Sequence, residues 1–508
     1  MNRRTLLQAA VGLFLCLLGF VAGHREHYDL QTVFATASGC QIATDIYEPR
    51  SGSPLGFVVL FHGLAANKKV MAFNAQEFAN QDLRVFVPDL PGHGRTPGPY
   101  SADRDDSCAL ALVQDLAARK VIIPERTILA GHSLGAAIAI RAAAKFPVAG
   151  VIALSPAPMR VVPGFSAEVI PFHDVPLLPP HSLVLTGQWE PGPIRSLARE
   201  LVAPSSSTAA PMRDPSSKYQ MISRTSHVSI LFSKKTFAET RAWTSQLLAT
   251  NPDAPFPKNM PSLGCVLGIV GLSILVPPFL REMNTVWIPT PAAPLPPPSF
   301  IKVLAFVFGA ALGAAVLLAS RAIPFHFVGM LHGDYFAVFL FLTGLFMLPV
   351  YQRSFSPWKF RVSLVASTAA SALVLVLLFG GWFELAFYEA WLTPARWFRF
   401  PLVFLLVLPW HLAEEIALGQ PSCSPDSRRL FKAFALRAVA YSVLYGAIVY
   451  LHSGAILLFL LLGYFIFFSI LQRLACDLVR SWTQSPAAAA IFGAILLAAF
   501  TLAIFPIA

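Results

Sequence analysis

Gly131-His132-Ser133-Leu134-Gly135 follows the apolar run Ile128-Leu129-Ala130 and precedes an alanine-rich stretch at 136–145. This pattern predicts a strand, a tight turn and a helix, with the serine at the turn. In such a turn the backbone of the serine is strained and its hydroxyl projects above the edge of a sheet, while the glycines let strand and helix approach closely. The stretch therefore predicts an α/β fold in which Ser133 is a nucleophile.

Short apolar runs alternate with helix-like stretches from Tyr28 to about Trp243. The runs that predict strands lie at 56–61, 84–87, 126–130, 148–154, 182–186 and 219–222. Stretches with spaced apolar residues predict helices at 73–81, 107–119 and 134–146. Alternation of this kind predicts a mostly parallel sheet covered by helices.

Two further loops accompany the pentapeptide. His62-Gly63-Leu64 follows the strand at 58–61, and Pro88-Asp89-Leu90-Pro91-Gly92-His93-Gly94-Arg95-Thr96 follows the strand at 84–87. In this order, the HG turn, the D-x-P-G-x-G loop and the G-x-S-x-G pentapeptide resemble the α/β-hydrolase superfamily, and within it the branch of monoacylglycerol lipases, lysophospholipases and serine aminopeptidases. The resemblance spans about residues 28–248 and implies a serine hydrolase, with no cofactor and no metal.

The resemblance also implies the partners of Ser133. In this superfamily an acid and then a histidine follow the serine, each on a loop at the carboxyl end of a later strand. Gly187-Gln188-Trp189-Glu190 and Thr225-Ser226-His227 occupy these places, so Glu190 is the expected acid and His227 the expected general base. Glu190 stands where the family usually has Asp, and Asp174 and Asp214 remain open as alternative acids.

The expected oxyanion hole consists of backbone N–H groups. Those of Leu64 and Leu134 would hold the negative charge that develops when Ser133 attacks an acyl group. Between Ser155 and Leu183 the chain is too short for a cap of several helices, so a small apolar flap at 156–180 is expected over the site.

The composition divides the chain in two. Of its 508 residues 55% are hydrophobic and 13% are charged, and nearly all the long apolar runs follow about residue 260, so a large part is expected to lie in lipid. Residues 5–22 are apolar and follow Arg3 and Arg4, which is typical of a signal anchor or a signal peptide. Despite a net charge of +11, the basic residues of the second half cluster in short loops, which fits membrane topology better than nucleic-acid binding.

Four segments follow from these patterns. They are a signal anchor or signal peptide at 1–23, an α/β-hydrolase domain at 24–250, a linker at 251–261, and a membrane domain of about seven transmembrane helices at 262–508. The membrane spans are expected in seven ranges, of which 436–470 is read as a pair turning at 452–454. These ranges are 262–280, 301–320, 335–351, 362–380, 400–418, 436–470 and 487–506.

The orientation of these spans is predicted from the basic residues of alternate loops, because short cytoplasmic loops carry an excess of Lys and Arg. With a cytoplasmic N-terminus, the opposite loops hold only Arg321, Arg396 and Arg399. The cytoplasmic loops then hold Arg281, Lys302, Arg353, Lys359, Arg361, Arg428, Arg429, Lys432, Arg437, Arg473 and Arg480. The hydrolase domain of this multi-pass protein, expected in the cell membrane, would therefore face the periplasm or a lumen.

Ionisable residues occur in two of the apolar segments. His411, Glu414 and Glu415 predict either a proton, ion or head-group site or a span that ends near Leu412 with the pair at the cytoplasmic interface. Glu384 and Glu389 are expected in an aromatic interfacial segment, without a special role.

Cys40 and Cys108 are the pair of cysteines that could form a disulfide outside a membrane. Cys16, Cys265 and Cys476, by contrast, lie in or beside apolar segments.

The expected function is that of a membrane-bound serine hydrolase that cleaves a carboxylic ester, and the favoured substrate is a lipid or a lysolipid. Two alternatives stay open. The same residues could serve a serine peptidase, or the membrane half could be a transporter or scaffold whose hydrolase-like domain only binds lipid or a partner.

Overall fold

The computed structural model describes most of the chain. The described residues are 3–24, 28–49, 51–157, 159–162, 166–169, 178–202, 216–258, 260–284, 299–320, 326–349, 362–419, 426–450 and 457–508. Asp174, Asp214, the turn at 452–454 and about half of the flap at 156–180, residues 158, 163–165 and 170–177, lie outside these residues.

The first half of the chain is built on an eight-stranded sheet in the order β1-β2-β4-β3-β5-β6-β9-β10. Its strands are β1 Tyr28–Ala35, β2 Gln41–Tyr47, β3 Gly56–Phe61, β4 Leu83–Pro88, β5 Thr127–His132, β6 Gly150–Leu154, β9 Ser182–Gly187 and β10 Lys218–Ile222, while β7 Met159–Val162 and β8 Ser166–Val169 form a separate hairpin. β1 and β2 pair antiparallel, as do β2 and β4, and every neighbouring pair from β4 to β10 is parallel. The predicted mostly parallel sheet is confirmed.

Helices cover both faces of this sheet, which is why β3, β5, β6 and β9 are buried along their whole length. They are α2 Ala72–Asn80, α3 Ala102–Ala118, α4 Leu134–Lys145, α5 Gly192–Val202 and α6 Lys234–Leu248. α3 begins before the predicted residue 107 because the Ser101 hydroxyl accepts a hydrogen bond from the Arg104 N–H and caps the helix. We call residues 28–250 the sheet domain.

A disulfide joins Cys40, at the start of β2, to Cys108 on α3, with 5.7 Å between the Cα atoms. Cys16, Cys265 and Cys476 are free and buried. The bond ties an edge of the sheet to a covering helix.

The remaining helices are long and apolar. They are α1 Arg3–Gly23, α7 Pro261–Asn284, α8 Phe300–Ala319, α9 Gly333–Met347, α10 Val362–Ala386, α11 Pro394–Leu418, α12 Ser427–Tyr450, α13 Leu457–Leu460, α14 Leu462–Thr483 and α15 Pro486–Ile504. Within the described residues, eight of them are long and apolar enough to cross a membrane, and seven of these follow residue 260. α9, where a span was expected at 335–351, is shorter than these eight. We call residues 261–508 the helical region.

The N-terminal helix packs closely on α7. A Cβ atom built on Gly19 would lie 2.8 Å from the carbonyl oxygen of Gly264, and one built on Gly271 would lie 2.7 Å from that of Gly12. The Met260 N–H also donates to the Ala22 carbonyl at 2.9 Å. Glycine at these positions therefore allows the two helix backbones to touch.

The sheet domain rests on one end of the helical region. The Ile507 N–H donates to the Gly92 carbonyl at 3.0 Å, the Tyr100 N–H donates to the Ile507 carbonyl at 2.6 Å, and the Arg396 guanidinium donates to the Gly92 carbonyl at 3.1 Å. Gly92 and Tyr100 belong to the loop at the carboxyl end of β4. Because parallel strands share this edge, the helical region lies against the edge of the sheet that also carries Ser133.

Candidate active site

Ser133 lies at the sharp turn between β5 and α4, with φ 56° and ψ −117°. A residue other than glycine rarely adopts a positive φ, so contacts with the surrounding residues must hold the backbone of Ser133 in this conformation. A Cβ atom on Gly131 would lie 2.2 Å from the Gly135 carbonyl oxygen, and one on Gly135 would lie 2.4 Å from that of Phe61. Both glycines of the pentapeptide are thus required by the close approach of α4 to β5 and β3.

Two side chains from later loops complete a hydrogen-bonded chain at Ser133. The Nε2 atom of His227 lies 3.0 Å from Ser133 Oγ, and its Nδ1 atom hydrogen-bonds Glu190 Oε1. Glu190 follows β9 and His227 follows β10, which are neighbouring parallel strands. The carboxyl ends of these strands and of β5 lie at one edge of the sheet. This explains how Ser133 and His227, which are 94 positions apart in sequence, come into contact.

The carboxylate of Glu190 is buried and well supplied with donors. Its Oε2 atom accepts from the Ser155 hydroxyl at 2.8 Å and from the Gly187 N–H at 3.2 Å. Burial alone would raise the pKa of Glu190, but the hydrogen bond and charge of His227, with those from Ser155 and Gly187, hold it below its usual value. Glu190 therefore stays ionised and can orient the imidazole and stabilise its cation.

Ser155 is a member of this site that the sequence reasoning missed. It lies at the end of β6 with φ 48°, and its N–H donates to the Leu185 carbonyl at 2.7 Å. A hydroxyl residue at the carboxyl end of a fully buried strand was the available signal. His132 also supports the site, because its Nε2 atom lies 2.7 Å from the His227 carbonyl oxygen.

The two expected oxyanion donors lie beside Ser133. Leu134 is the first residue of α4, where backbone N–H groups lack partners within the helix. Leu64 follows Gly63, and a Cβ atom built on Gly63 would lie 3.2 Å from Ser133 Cβ. Both backbones therefore approach the hydroxyl closely enough to flank an acyl group bound to it.

The other candidates for the acid and the base are Asp174, Asp214 and His181. Asp174 and Asp214 lie outside the described residues, so the contacts of Glu190 are what distinguishes it. His181 precedes β9 at the amino edge of the sheet, where its carbonyl accepts from the Val151 N–H at 3.0 Å, away from the edge with Ser133.

Glu414 and Glu415 belong to a buried ion cluster inside the helical region. The helix α11 continues to Leu418, beyond Leu412, near which the membrane span was expected to end in one of the two alternatives. Arg437 binds both oxygens of Glu414, at 2.6 and 2.9 Å, and Arg473 pairs with Glu415 at 2.5 Å. The other members of the cluster are His411, Arg429, Gln472 and Asp477.

Glu384 and Glu389 are also buried, and the expectation that they have no special role is wrong. Glu384 pairs with Lys69 at 2.8 Å and with Arg95 at 2.5 Å, and Glu389 pairs with Lys68. All three cations belong to the sheet domain. The helical region therefore docks through ion pairs as well as through backbone contacts.

The fold and the Ser133 geometry define the class of the sheet domain, and comparison with known proteins agrees. Residues 58–264 match the model of the alpha/beta hydrolase family, so the chain carries an α/β-hydrolase domain.

Two curated relatives resemble part of this domain. A monoacylglycerol lipase of Mycolicibacterium smegmatis is 34% identical over 120 residues, which are 22% of this chain and 41% of the relative. Lipase 3 of a Moraxella species is 32% identical over 125 residues, which are 24% of this chain and 38% of the relative. The chain thus spans about two fifths of the curated relatives that it matches.

Among solved structures, an alpha-beta serine hydrolase homologue from Coxiella burnetii aligns with 43% of this chain and 97% of its own, at 16% identity and a TM-score of 0.33.

Proposed function

We propose that this protein is a membrane-bound serine hydrolase that cleaves a carboxylic ester of a lipid or lysolipid. The hydrogen-bonded chain from Ser133 through His227 to Glu190 carries the proposal. A hydroxyl, an imidazole and an oriented carboxylate in this order convert a weak nucleophile into an effective one.

In the proposed mechanism the Oγ atom of Ser133 attacks the ester carbonyl while Nε2 of His227 accepts its proton. The N–H groups of Leu64 and Leu134 hold the oxyanion, and the imidazolium then protonates the leaving alcohol as the acyl-enzyme forms. Water, activated by the same imidazole, attacks the acyl group and releases a carboxylic acid and free Ser133. Glu190 stabilises the imidazolium in both halves of the reaction.

The surroundings of the site favour a lipid substrate. A continuous buried apolar cluster includes Leu64, Leu90 and Ala157 of the sheet domain together with Met330 and Leu331 of the helical region. An apolar environment next to lipid-spanning helices accommodates an acyl chain better than a charged peptide. The names of the two curated relatives, a monoacylglycerol lipase and a lipase, point in the same direction.

We also propose a cell-membrane location with the sheet domain on the extracytoplasmic face. The basic-residue pattern supports this orientation, and so does the Cys40–Cys108 disulfide, since such bonds persist in oxidising compartments. The close packing of α1 on α7 favours a retained signal anchor over a cleaved signal peptide.

The test is labelling of the detergent-solubilised protein with a fluorophosphonate probe, which reacts with activated serines. We expect labelling of wild type, loss of labelling in Ser133→Ala, and labelling slowed by at least about 100-fold in Glu190→Gln, because the imidazole loses its orientation. Ser229→Ala is the matched control, since this nearby hydroxyl hydrogen-bonds Ser226 and not the imidazole, and it should label normally.

Substrate class is then tested with monoacylglycerols, lysophospholipids and aminoacyl amides of matched size. Release of fatty acid by wild type but not by Ser133→Ala supports the ester proposal. Faster cleavage of the amides would replace it with a peptidase, and an unlabelled wild-type protein would contradict hydrolase activity.

A further inference from the structure

We propose that the helical region is part of the catalytic apparatus, because Tyr388 and Glu389 act as positioning residues for the oxyanion hole. Both lie between α10 and α11, in the helical region, and both contact residues 62–69, which we call the oxyanion loop. This inference rests on the proposed serine hydrolase function and deepens it.

Tyr388 contacts the oxyanion loop next to the donor itself. Its hydroxyl donates to the Ala65 carbonyl at 2.9 Å, one residue after Leu64. Ala65 has φ 57°, a left-handed conformation that a residue with a side chain holds only when its neighbours impose it. The hydrogen bond from Tyr388 is therefore placed to fix the turn that aims the Leu64 N–H.

Two neutral histidines connect the same turn to the D-x-P-G-x-G loop. His93 Nε2 accepts from the Ala65 N–H at 3.3 Å, and His93 Nδ1 lies 3.0 Å from the Pro91 carbonyl oxygen. His62 Nε2 accepts from the Leu90 N–H at 2.9 Å. Burial lowers the pKa of His93 to about 3 and also lowers the pKa of His62, so at neutral pH each ring has one accepting and one donating nitrogen.

Glu389 fixes the other end of the oxyanion loop through Lys68. Lys68 is fully buried, its backbone N–H donates to Asp89 Oδ1 at 2.8 Å and its Nζ donates to Asp89 Oδ2 at 2.7 Å and to Glu389. A Cβ atom on Gly94 would lie 2.4 Å from Glu389 Oε2. The same Cβ atom would lie 2.3 Å from Asp89 Oδ2, so the last glycine of the D-x-P-G-x-G loop leaves room for one carboxyl group of each region.

These contacts hold both ends of the loop that carries the Leu64 donor. An oxyanion donor acts only when it lies within a few tenths of an ångström of the developing charge, so a loosened loop slows the reaction more than it weakens substrate binding. This role would explain why the chain has more helices than an anchor requires.

The closing experiment removes one hydroxyl. Tyr388→Phe deletes the hydrogen bond to the Ala65 carbonyl at 2.9 Å and a longer one to the Ala503 carbonyl at 3.5 Å, and keeps the ring. With p-nitrophenyl butyrate as substrate we expect kcat to fall about ten-fold while KM changes less than about two-fold. A trifluoromethyl ketone, which forms a charged adduct with the serine, should bind about ten-fold more weakly, whereas an uncharged ether analogue of the substrate should bind unchanged.

Tyr445→Phe is the matched control, because Tyr445 also donates a hydroxyl to a backbone carbonyl of the helical region, that of Leu458 at 3.0 Å. It should retain kcat and inhibitor affinity. Equal kcat in Tyr388→Phe and wild type would overturn the positioning role, and so would equal loss of affinity for the charged and uncharged inhibitors. Failure of wild type to react with the fluorophosphonate probe would instead overturn the proposed function.

Discussion

The helical region buries two pairs of glutamates at opposite ends, and their cations come from different places. Glu384 and Glu389, beside the sheet domain, pair with Lys69, Lys68 and Arg95 of that domain. Glu414 and Glu415 lie at the far end of α11, roughly 27 Å along the helix from Arg396, and pair with arginines of α12 and α14.

The near pair therefore contributes to the docking of the two regions, whereas the far pair contributes to the packing of helices within the helical region. A buried carboxyl group is tolerated when a cation neutralises it or when its pKa rises and it stays protonated. The far pair finds its cations within the helical region and stabilises the packing of three helices. The near pair finds its partners on the sheet domain, where Lys69 and Arg95 neutralise Glu384 and Lys68 donates a hydrogen bond to Glu389, so the two regions are expected to function as one unit.

The largest effect on stability is expected from a substitution in the buried ion cluster around Glu414 and Glu415. Glu414→Ala leaves Arg437 buried without its bidentate partner, which should cost about 3–5 kcal/mol in the free energy of unfolding. Glu384→Ala should cost less, about 1–2 kcal/mol, because Arg95 is 44% exposed and can be solvated, and the buried Lys69 ammonium keeps its hydrogen bond to the backbone carbonyl of residue 384. Thermal unfolding in detergent measures both, and equal shifts would contradict the distinction between the two ends.

An intermediate effect concerns the sheet domain and its compartment. Replacing both Cys40 and Cys108 by Ser should lower the stability of the sheet domain by about 2–4 kcal/mol, because the unfolded chain gains freedom. In protein taken from membranes without reductant, alkylation should leave this pair unmodified and reach Cys476, which is free and buried, only after denaturation. Alkylation of Cys40 in that sample would contradict an extracytoplasmic sheet domain.

The smallest effect is a dependence of docking on pH. Burial and the neighbouring Asp89 raise the pKa of Glu389 to about 9, against the opposing charge of Lys68, and the other charged groups that face this site are Asp45 and Arg95. A raised pKa stabilises the docked state at low pH, and this contribution is lost as pH rises through about 9.

The unfolding temperature of wild type should therefore fall by about 2–4 °C more than that of Glu389→Gln between pH 7 and pH 10. The amide keeps the shape of the neutral carboxyl group and cannot ionise. Parallel curves for the two proteins would contradict a protonated Glu389 at neutral pH.

Much of the fold followed from local pattern. The strand, turn and helix around Ser133 have short-range causes, since apolar β-rich residues, two glycines and an alanine-rich run each favour one local conformation. The acid and base positions also rested on order along the chain, because parallel strands bring their carboxyl ends to one edge. Ser155 was missed because its role depends on Glu190, which is 35 residues away.

The sequence patterns did not predict the contacts between the sheet domain and the helical region. Glu384 and Glu389 were expected in an aromatic interfacial segment, without a special role. Their partners are about 290–320 residues away. For a related reason α11 continues past Leu412 as a buried helix, because arginines on other helices neutralise Glu414 and Glu415.

The α/β-hydrolase domain, its nucleophile turn and the apolar helices were predictable from the amino-acid sequence, because they depend on hydrophobic period and on backbone conformations that neighbouring residues impose. The packing of the helical region against the carboxyl edge of the sheet, and the contacts of Tyr388 and Glu389 with the oxyanion loop, became visible in the folded chain alone. The physical reason is that burial can make a charge or hydroxyl depend on a partner hundreds of residues away, and no local pattern records which partner that is.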